Sequence, residues 1–372
     1  MKARLALVLA ALLFAVPALA AAPPRVAAHA YLVVNGATGE VLAGAHARES
    51  VPIASITKLM TVLVALQHAK PDEVVVVSGN AASVGESSIG LHRGERISVL
   101  DLVKAALIQS ANDAAVALGE YVGGGSQSAF VALMNDQALA LGLRDTHFAN
   151  PDGLDAFGHY SSARDVTRLA RIVMKNPLVR SIVRETDTTA AGRHLHTWND
   201  LLSTFPGLFG VKTGHTAGAG WSEVAAARGP YGTVYATLLG GPSRATRNLD
   251  LTELLAWGLT RYRLLPIISG TRVYATAQAP YGRAPLTLVA SGRVVRILRV
   301  DRALVERVVA PAVVGLPVAR GQRLGRVEVW DGKKLVARRP LVATRAIARP
   351  GSIARAEWYA GRAVHAFSGW FR

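Results

Sequence analysis

The sequence predicts an α+β domain, an antiparallel sheet backed by helices, followed by a small all-β domain. Three observations lead to this fold class: strand-like runs lie at both ends of residues 28–263, helical periodicity fills the middle, and short β-rich runs follow Tyr262. A chain of 372 residues also has ample material for two cores. We therefore expect a first domain at 28–263 and a second at 267–345.

Residues 1–20 have the composition of a signal peptide for export. Two cations, Lys2 and Arg4, precede an apolar run over residues 5–16, and the Ala-Leu-Ala at 18–20 suits signal peptidase. The apolar run is short for a bilayer span, so we expect cleavage, with an uncleaved anchor as the alternative. The chain contains no cysteine, which excludes disulfides, thiol chemistry and cysteine-based metal sites.

The charge balance is strongly basic, with 42 Lys and Arg against 25 Asp and Glu. Such an excess predicts an anionic partner. For an exported protein the candidates are anionic lipid headgroups and acidic envelope polymers, and nucleic acid is not expected. A solvated basic surface without a specific function is the alternative.

The first domain opens with a predicted hairpin over residues 31–43, which turns through Asn35-Gly36. A helix follows, because the apolar residues of the segment 59–66 recur at helical spacing. Ser55 lies at the start of this helix and Lys58 one turn later on the same side.

A second predicted helix begins at Ser98, with Asp101 as its capping partner, and ends near Ile108. Residues 110–112 then fall at a break between helices, and the next helix covers 113–122 before a triple glycine.

The end of the first domain returns to strands. A short strand over residues 209–211 leads into Lys212-Thr213-Gly214, and segments 223–227 and 233–239 form another hairpin.

The second domain consists of short β-rich runs that end in a helical tail. The predicted strands are 286–289, 294–300, 308–314, 327–330 and 335–336. Residues 349–372 form a basic amphipathic helix with aromatic side chains, a pattern typical of a helix lying in a membrane interface. A terminal helix docked on its own protein is the alternative.

The chemistry resides in three short elements, Ser55-Ile56-Thr57-Lys58, Ser110-Ala111-Asn112 and Lys212-Thr213-Gly214. A serine hydroxyl is a poor nucleophile at neutral pH and needs a group that takes its proton. Lys58 is placed to do so for Ser55, because residues three apart stack on a helix. Burial beside a second cation, Lys212, lowers the proton affinity of such a lysine.

The other candidate residues complete an acyl-transfer site. Ser110 bridges the two lysines and passes a proton to the departing amine, while Asn112 holds the peptide backbone of the substrate. Lys212 and Thr213 suit a terminal carboxylate, and Gly214 belongs to the same substrate-binding segment. The backbone N–H groups of Ser55 and His215 form the predicted oxyanion hole.

Each element alone also has an ordinary structural explanation: an N-cap for Ser55, caps between helices for Ser110 and Asn112, and a solvated strand end for Lys212. All three in order, each in its expected setting, favour the acyl-transfer site. The sequence leaves the general base open between Lys58 and a relayed partner, because coupled lysines titrate as a group.

With these motifs the chain resembles the D-alanyl-D-alanine carboxypeptidases, low-molecular-mass penicillin-binding proteins of the serine peptidase kind. The resemblance covers nearly the whole mature chain. It rests on residues 54–61, 109–115, 134–135, 150–154, 162–165 and 210–216.

The resemblance implies a penicillin-recognising transpeptidase/β-lactamase-like fold, a β-rich C-terminal domain and an amphipathic C-terminal anchor. It also implies that Ser55 attacks the final D-Ala-D-Ala bond of a peptidoglycan stem pentapeptide and that penicillin acylates the same serine. The enzyme would work at the outer, periplasmic face of the cytoplasmic membrane, attached through residues 349–372 to its anionic surface. Thr197 departs from the asparagine common in relatives, which leaves its local hydrogen bonding in doubt.

Three other functions compete with this hypothesis. A DD-endopeptidase uses the same site, although the endopeptidases of the family usually lack residues equivalent to 267–372. A β-lactamase is disfavoured because no Glu-x-x-Leu-Asn segment lies between Ser110 and Lys212. A non-catalytic envelope-binding protein would use the β domain and tail. The intact nucleophile and base argue against this function.

The histidines predict no metal or cofactor, since the ten of them include no His-Glu-x-x-His motif or close pair resembling a zinc site. His215 is interpreted either as a donor near the pocket or as a strand residue contributing only its backbone. His159 is expected to be structural.

Overall fold

The protein is described from a computed structural model that covers residues 7–14 and 22–368, with side chains described between 22 and 360. The chain divides into two compact units, one of residues 22–260 and one that contains residues 261–372 together with the N-terminal segment. The boundary lies slightly before the predicted one at 263–267, because a strand beginning at Tyr262 already belongs to the second unit.

The elements are as follows. The strands are β1 (Leu7–Phe14), β2 (Ala30–Asn35), β3 (Val41–Ala45), β4 (Val74–Val76), β5 (Arg96–Ser98), β6 (Asp187–Ala190), β7 (Arg193–His196), β8 (Leu208–Thr216), β9 (Gly220–Gly229), β10 (Gly232–Gly241), β11 (Tyr262–Ile268), β12 (Val273–Ala277), β13 (Leu286–Ala290), β14 (Val294–Arg299), β15 (Leu304–Pro311), β16 (Arg323–Asp331) and β17 (Lys334–Ala343). The helices are α1 (Lys58–His68), α2 (Gly79–Ser83), α3 (Val99–Lys104), α4 (Asn112–Val122), α5 (Gln127–Ala140), α6 (Ala163–Val173), α7 (Pro177–Ile182), α8 (Leu201–Thr204), α9 (Arg244–Leu259) and α10 (Ser352–Ser368).

The first unit is organised by a five-stranded antiparallel sheet with the order β3-β2-β10-β9-β8. All six residues of β2 are buried, so helices cover both faces of this part of the sheet. Leu32 and Val34 face a core shared with α1, α3, α4, α5 and α6, whereas Tyr31 and Val33 face a core shared with α9. The alternation follows from the period of two along a strand.

The predicted fold class is confirmed by this arrangement of helices and antiparallel strands with a β-rich C-terminal part. The hairpins expected at 31–43 and at 223–239 are present as β2–β3 and β9–β10. The Ser98 hydroxyl accepts a hydrogen bond from the Asp101 backbone N–H at 3.0 Å, as a capping residue does. Beyond the expectation, α3 continues into a π-helical turn, Ala105–Gln109.

The second unit contains a six-stranded sheet with the order β1-β15-β16-β17-β13-β12 and a two-stranded sheet of β11 and β14. Strands are present in each predicted segment of this region, but the one expected at 308–314 lies at 304–311, and β11 and β12 are additional. Strand β1 falls within the predicted signal peptide, whose other residues lie outside the described residues. Among the helices that the structure describes, none is long and apolar enough to cross a membrane.

Candidate active site

Ser55 lies in a single turn of 3₁₀ helix, Ala54–Thr57, directly before α1. This turn replaces the regular helical start expected from sequence, yet it keeps Ser55 and Lys58 on one side, with Lys58 Nζ 2.8 Å from Ser55 Oγ. Ser55 is half-buried and Lys58 is fully buried. The nucleophile is therefore accessible, whereas the amine beside it is shielded from water.

Lys58 Nζ lies within hydrogen-bond distance of three oxygens, one of which is Ser55 Oγ. Its Nζ donates to Asn112 Oδ1 at 2.7 Å and to the Asp152 carbonyl oxygen at 2.6 Å. Both of these oxygens only accept. As an ammonium, Lys58 donates to all three oxygens, Ser55 Oγ included; once neutral, it keeps two N–H bonds for the two acceptors and has a lone pair for the hydroxyl proton of Ser55.

Burial lowers the pKa of Lys58 to about 7, although the negative charges of Asp152, Asp113 and Glu86 raise it. Desolvation dominates because a charged ammonium loses its hydration in the interior, and the acidic groups compensate for this loss only in part. Lys58 is thus suited to accept a proton near neutral pH.

The segment 150–154 packs against the turn that carries Ser55 and contacts Lys58. Asn150 Oδ1 accepts a hydrogen bond from the Gly153 N–H at 2.7 Å. Gly153 has φ +89°, and a Cβ there would lie 2.1 Å from the Ala54 carbonyl oxygen, so a side chain cannot be accommodated. This close approach brings the Asp152 carbonyl oxygen within hydrogen-bond distance of Lys58 Nζ.

Ser110 and Lys212 form a second pair of hydroxyl and amine. Ser110 follows the π-helical turn with φ 64° and ψ 29°, a left-handed conformation that ends the turn before α4. Lys212 Nζ, on β8, donates to Ser110 Oγ at 2.8 Å and to the Thr213 carbonyl oxygen at 3.0 Å. Burial, followed by the positive charge of Lys58, lowers the pKa of Lys212 well below its ordinary value.

Asn112, the first residue of α4, connects the two sides of the site. Its Oδ1 accepts from Lys58, and its Nδ2 donates to the Gly85 carbonyl oxygen at 3.1 Å. The neighbouring Asp113 carboxylate accepts from the backbone N–H groups of Ile89 and Leu91. The loop that carries Glu86 and Ser87 is therefore fixed against the start of α4.

These elements surround a cavity of about 260 Å³. Ser55, Ser110, Asn112, Thr213, Gly214 and His215 line it, while Lys58 and Lys212 lie behind the two serines. The His215 ring stacks on Trp221 with 4.0 Å between ring centroids. The structure thus brings together every residue that the sequence placed in the site.

Several residues of the site escaped the sequence prediction, among them Trp198, Glu223, Arg244 and Arg247. Arg244 lies over the Trp198 ring, 5.4 Å from its centroid, and its Nε donates to Asp200 Oδ2 at 2.8 Å. Both arginines line the cavity one turn apart on α9. Their spacing on a helix was the only signal in the sequence, and such pairs are common on helices without a site.

Arg247 and Glu223 form a wholly buried ion pair, with 3.2 Å between Arg247 Nε and Glu223 Oε2. Burial raises the pKa of Glu223 to about 7, whereas Arg247 acts in the opposite direction. The charge of Glu223 also raises the pKa of Lys212. The pair therefore belongs to the electrostatics of the site.

His159 and Thr197 have structural contacts. The Ala149 N–H donates to His159 Nδ1 at 3.0 Å, so the ring proton is on Nε2, 2.7 Å from Thr57 Oγ1. Burial lowers the pKa of His159 to about 4, consistent with a neutral ring that supports the 3₁₀ turn. Thr197 Oγ1 accepts from the Asn199 N–H at 3.2 Å, which supplies the local hydrogen bond in doubt from the sequence.

A hydroxyl in contact with a buried amine, facing a cavity that a second such pair also borders, defines a serine acyl-transfer enzyme of the lysine-activated kind. Residues 18–242 match the family model described as D-alanyl-D-alanine carboxypeptidase. The chain belongs to the D-alanyl-D-alanine carboxypeptidase family of serine peptidases.

Individual relatives agree with this assignment. The chain is 32% identical over 381 residues to the D-alanyl-D-alanine carboxypeptidase DacD of Salmonella typhimurium, covering 95% of this chain and 97% of the relative. It is 30% identical to DacF of Bacillus subtilis, over 87% of this chain and 86% of the relative.

Solved structures are similar over most of the chain as well. Penicillin binding protein 6B from Escherichia coli is similar with a TM-score of 0.65 and 30% identity, over 87% of this chain and 98% of that chain. The predicted family resemblance is therefore confirmed.

The depressed pKa of Lys58 predicts how acylation of Ser55 by a β-lactam depends on pH. Only the neutral amine accepts the serine proton, so the acylation rate should fall as pH drops below about 7, approaching tenfold per unit, and level off above it. The measurement is the second-order rate of labelling by a fluorescent penicillin across pH.

Glu223→Gln is the matched control, because it removes the other group with a pKa near 7. The inflection should persist in this variant. A wild-type rate that stays constant from pH ~5 to pH ~9 would contradict the role of Lys58.

Proposed function

We propose that this protein removes the terminal D-alanine from peptidoglycan stem pentapeptides through an acyl-enzyme on Ser55. The observation that carries the proposal is the 2.8 Å contact between Ser55 Oγ and the buried Lys58 Nζ, whose other two partners are pure acceptors. Family membership supports the same reaction.

In acylation, Ser55 Oγ attacks the carbonyl carbon of the last peptide bond while its proton passes to Lys58 Nζ. The negative charge on the carbonyl oxygen is accepted by the backbone N–H groups of Ser55 and His215. Ser55 is suited to this role because the N–H groups of a first helical turn have no intrahelical acceptor. His215 is suited because β8 is an edge strand of its sheet.

Collapse of the tetrahedral intermediate breaks the C–N bond and requires a proton on the departing nitrogen. Ser110 donates it and is reprotonated by the lysines of the site, of which Lys212 Nζ lies 2.8 Å from Ser110 Oγ. Free D-alanine leaves. Water then attacks the ester of Ser55 with the same groups acting in reverse, and this releases the shortened peptide and regenerates the serine.

Recognition of a chain end comes from the cationic side of the cavity. The Thr213 hydroxyl and the guanidinium groups of Arg244 and Arg247 line it, and Lys212 lies behind. Guanidinium groups match the planar carboxylate of a C-terminal D-alanine. Asn112 has a side chain in the same cavity for the peptide backbone of the substrate.

A β-lactam fits this proposal as a covalent inhibitor. The carbonyl of its cyclic amide suits attack by Ser55, and the carboxylate on the adjoining ring suits the same cations as a C-terminus. A DD-endopeptidase remains the second candidate, since it uses the same serine chemistry. The β-rich C-terminal part of the chain favours the carboxypeptidase, because the endopeptidases of the family usually lack residues equivalent to 267–372.

Replacing Ser55 by alanine tests the mechanism. Release of D-alanine from a peptide ending in D-Ala-D-Ala should fall by at least about a thousandfold, with fluorescent penicillin labelling abolished. Undiminished release would contradict the proposal. Wild-type labelling without D-alanine release would indicate an endopeptidase instead.

Replacing Arg244 by glutamine tests carboxylate recognition. We expect kcat/KM for a peptide with a free C-terminus to fall about tenfold or more, while turnover of the same peptide with a C-terminal amide stays unchanged. The matched control is Arg93→Gln, an exposed arginine away from the cavity. Equal losses on both peptides would indicate a structural role for Arg244.

For the tail we propose that residues 349–372 attach the exported protein to the anionic outer face of the cytoplasmic membrane. Helix α10 begins at Ser352, and Ile353 and Tyr359 are largely exposed. Trp358 and Tyr359 contact Tyr281, with ring centroids 5.2 Å and 6.1 Å apart, so the start of the helix is held by its own unit. The exposed aromatic and basic side chains suit lipid headgroups.

Deletion of residues 349–372 should therefore move the exported protein from membrane to soluble fractions while leaving penicillin labelling of Ser55 intact. Fractionation followed by fluorescent penicillin measures both at once. Retention of the truncated protein on membranes would refute the attachment.

A further inference from the structure

A second cavity, of about 750 Å³, lies in the first unit at the other end of the central sheet. It is bordered by the turn between β2 and β3, by α6 and α7, and by the ends of β8, β9 and β10 that lie away from Ser55. Six cationic side chains line it: Arg164, Arg168, Arg171, Lys175, Arg180 and Arg228. We refer to this cavity and its six cations as the cationic groove.

Four of these cations form a stripe. Arg164, Arg168, Arg171 and Lys175 follow one another at spacings of four, three and four residues along α6 and the turn after it. This spacing places Arg164, Arg168 and Arg171 on one face of α6, and Lys175 continues the row in the turn after the helix. The Cβ atoms of neighbouring residues in the stripe are therefore separated by about 5–6 Å.

Nothing in the groove compensates this charge. No aspartate or glutamate lines it, and none of the six cations makes an ion pair within the described part of the chain. Asp165 is next to Arg164 in sequence, but its carboxylate accepts hydrogen bonds from the Asp145 N–H at 2.7 Å and from Thr146 Oγ1 at 2.9 Å. The cations repel one another, which an anionic ligand would relieve.

The cations differ in their present contacts. Arg171 Nε donates to the Gly36 carbonyl oxygen at 3.1 Å, and Arg180 donates to the Met174 carbonyl oxygen at 3.1 Å, so these two are fixed. Arg164, Arg168 and Lys175 are exposed and make no side-chain hydrogen bond among the described residues. Their donors are available.

Aromatic side chains complete the groove. Phe209 and Tyr235 meet edge to face with 6.4 Å between ring centroids, and the Arg228 guanidinium lies 5.9 Å above the Phe209 ring. These rings offer apolar surface to the uncharged part of a ligand.

We propose that the cationic groove binds an extended acidic polymer, a chain that carries phosphate or carboxylate groups at regular intervals. A linear stripe of charges matches repeated anions better than one small anion. The concave shape admits a chain, whereas a lipid surface needs an exposed convex or flat face. An enzyme held on such a polymer keeps its active site free to act.

The groove and the active site are separate. Phe209 lines the groove and Thr213 lines the active-site cavity, four residues apart on β8, or about 13 Å along an extended strand. Occupation of one site therefore leaves room for a ligand in the other.

The test uses the full-length protein, fluorescently labelled short linear polyphosphate, and fluorescence anisotropy. Replacing Arg164, Arg168 and Lys175 together by glutamine should weaken binding about tenfold or more and reduce its dependence on sodium chloride concentration. The matched control replaces Arg93, Arg96 and Arg144, three exposed arginines outside the groove, by glutamine and should bind as the wild type does. Penicillin labelling of Ser55 reports that each variant is folded.

Four results would overturn the proposal. Equal weakening in both triple variants would mean attraction to net charge alone. Inorganic phosphate that displaces the polymer at an equal concentration of phosphate groups would indicate a site for a single anion. Loss of binding after Ser55 has been acylated by a β-lactam would place the polyphosphate in the active-site cavity. The triple variant of Arg164, Arg168 and Lys175 should bind anionic vesicles as the wild type does. A matching loss of vesicle binding would assign the groove to a lipid surface.

Discussion

The burial of two lysine side chains beside two serines is the constraint on which the site depends. Lys58 and Lys212 are nearly inaccessible to solvent, and desolvation is the largest cause of the lowered pKa of each. A buried amine needs acceptors for its N–H bonds, which explains why Asn112 and the Asp152 carbonyl converge on Lys58 from distant parts of the chain. The 3₁₀ turn, the start of α4 and the segment 150–154 are held together by this requirement.

The surrounding charges adjust this state. Lys58 lowers the pKa of Lys212, because two positive charges in one low-dielectric region are unfavourable, while Glu223 raises it. Glu223 in turn is paired with Arg247, which also borders the cavity. A change in protonation at any one of these groups therefore alters the others, and the site titrates as a coupled set.

The sequence predicted what local patterns determine. The period of α1 placed Ser55 and Lys58 together, Ser98 and Asp101 marked the start of α3, and the turn residues at 229–232 marked the hairpin of β9 and β10. Other features depend on contacts between distant segments. The π-helical turn that leaves Ser110 left-handed, and the approach of Arg247 to Glu223, arise from packing, for which the local sequence has no signal. Strand β11 was missed for the same reason, since it pairs with β14 and not with the next strand along the chain.

The same type of side chain serves two different purposes in this fold, and exposure decides which. At one end of β8, burial removes the stabilisation of the charged ammonium by water, so that the lysines behind Ser55 and Ser110 can exchange protons. At the other end, the exposed guanidinium groups of Arg164 and Arg168 retain their hydration and their charge, since arginine stays protonated in proteins. Proton transfer requires a cation that can lose its charge, whereas recognition of an anion requires one that cannot. A single sheet meets both requirements. The lysines at its Ser55 end are buried among helices, whereas the cationic face of α6 at its other end is exposed to solvent.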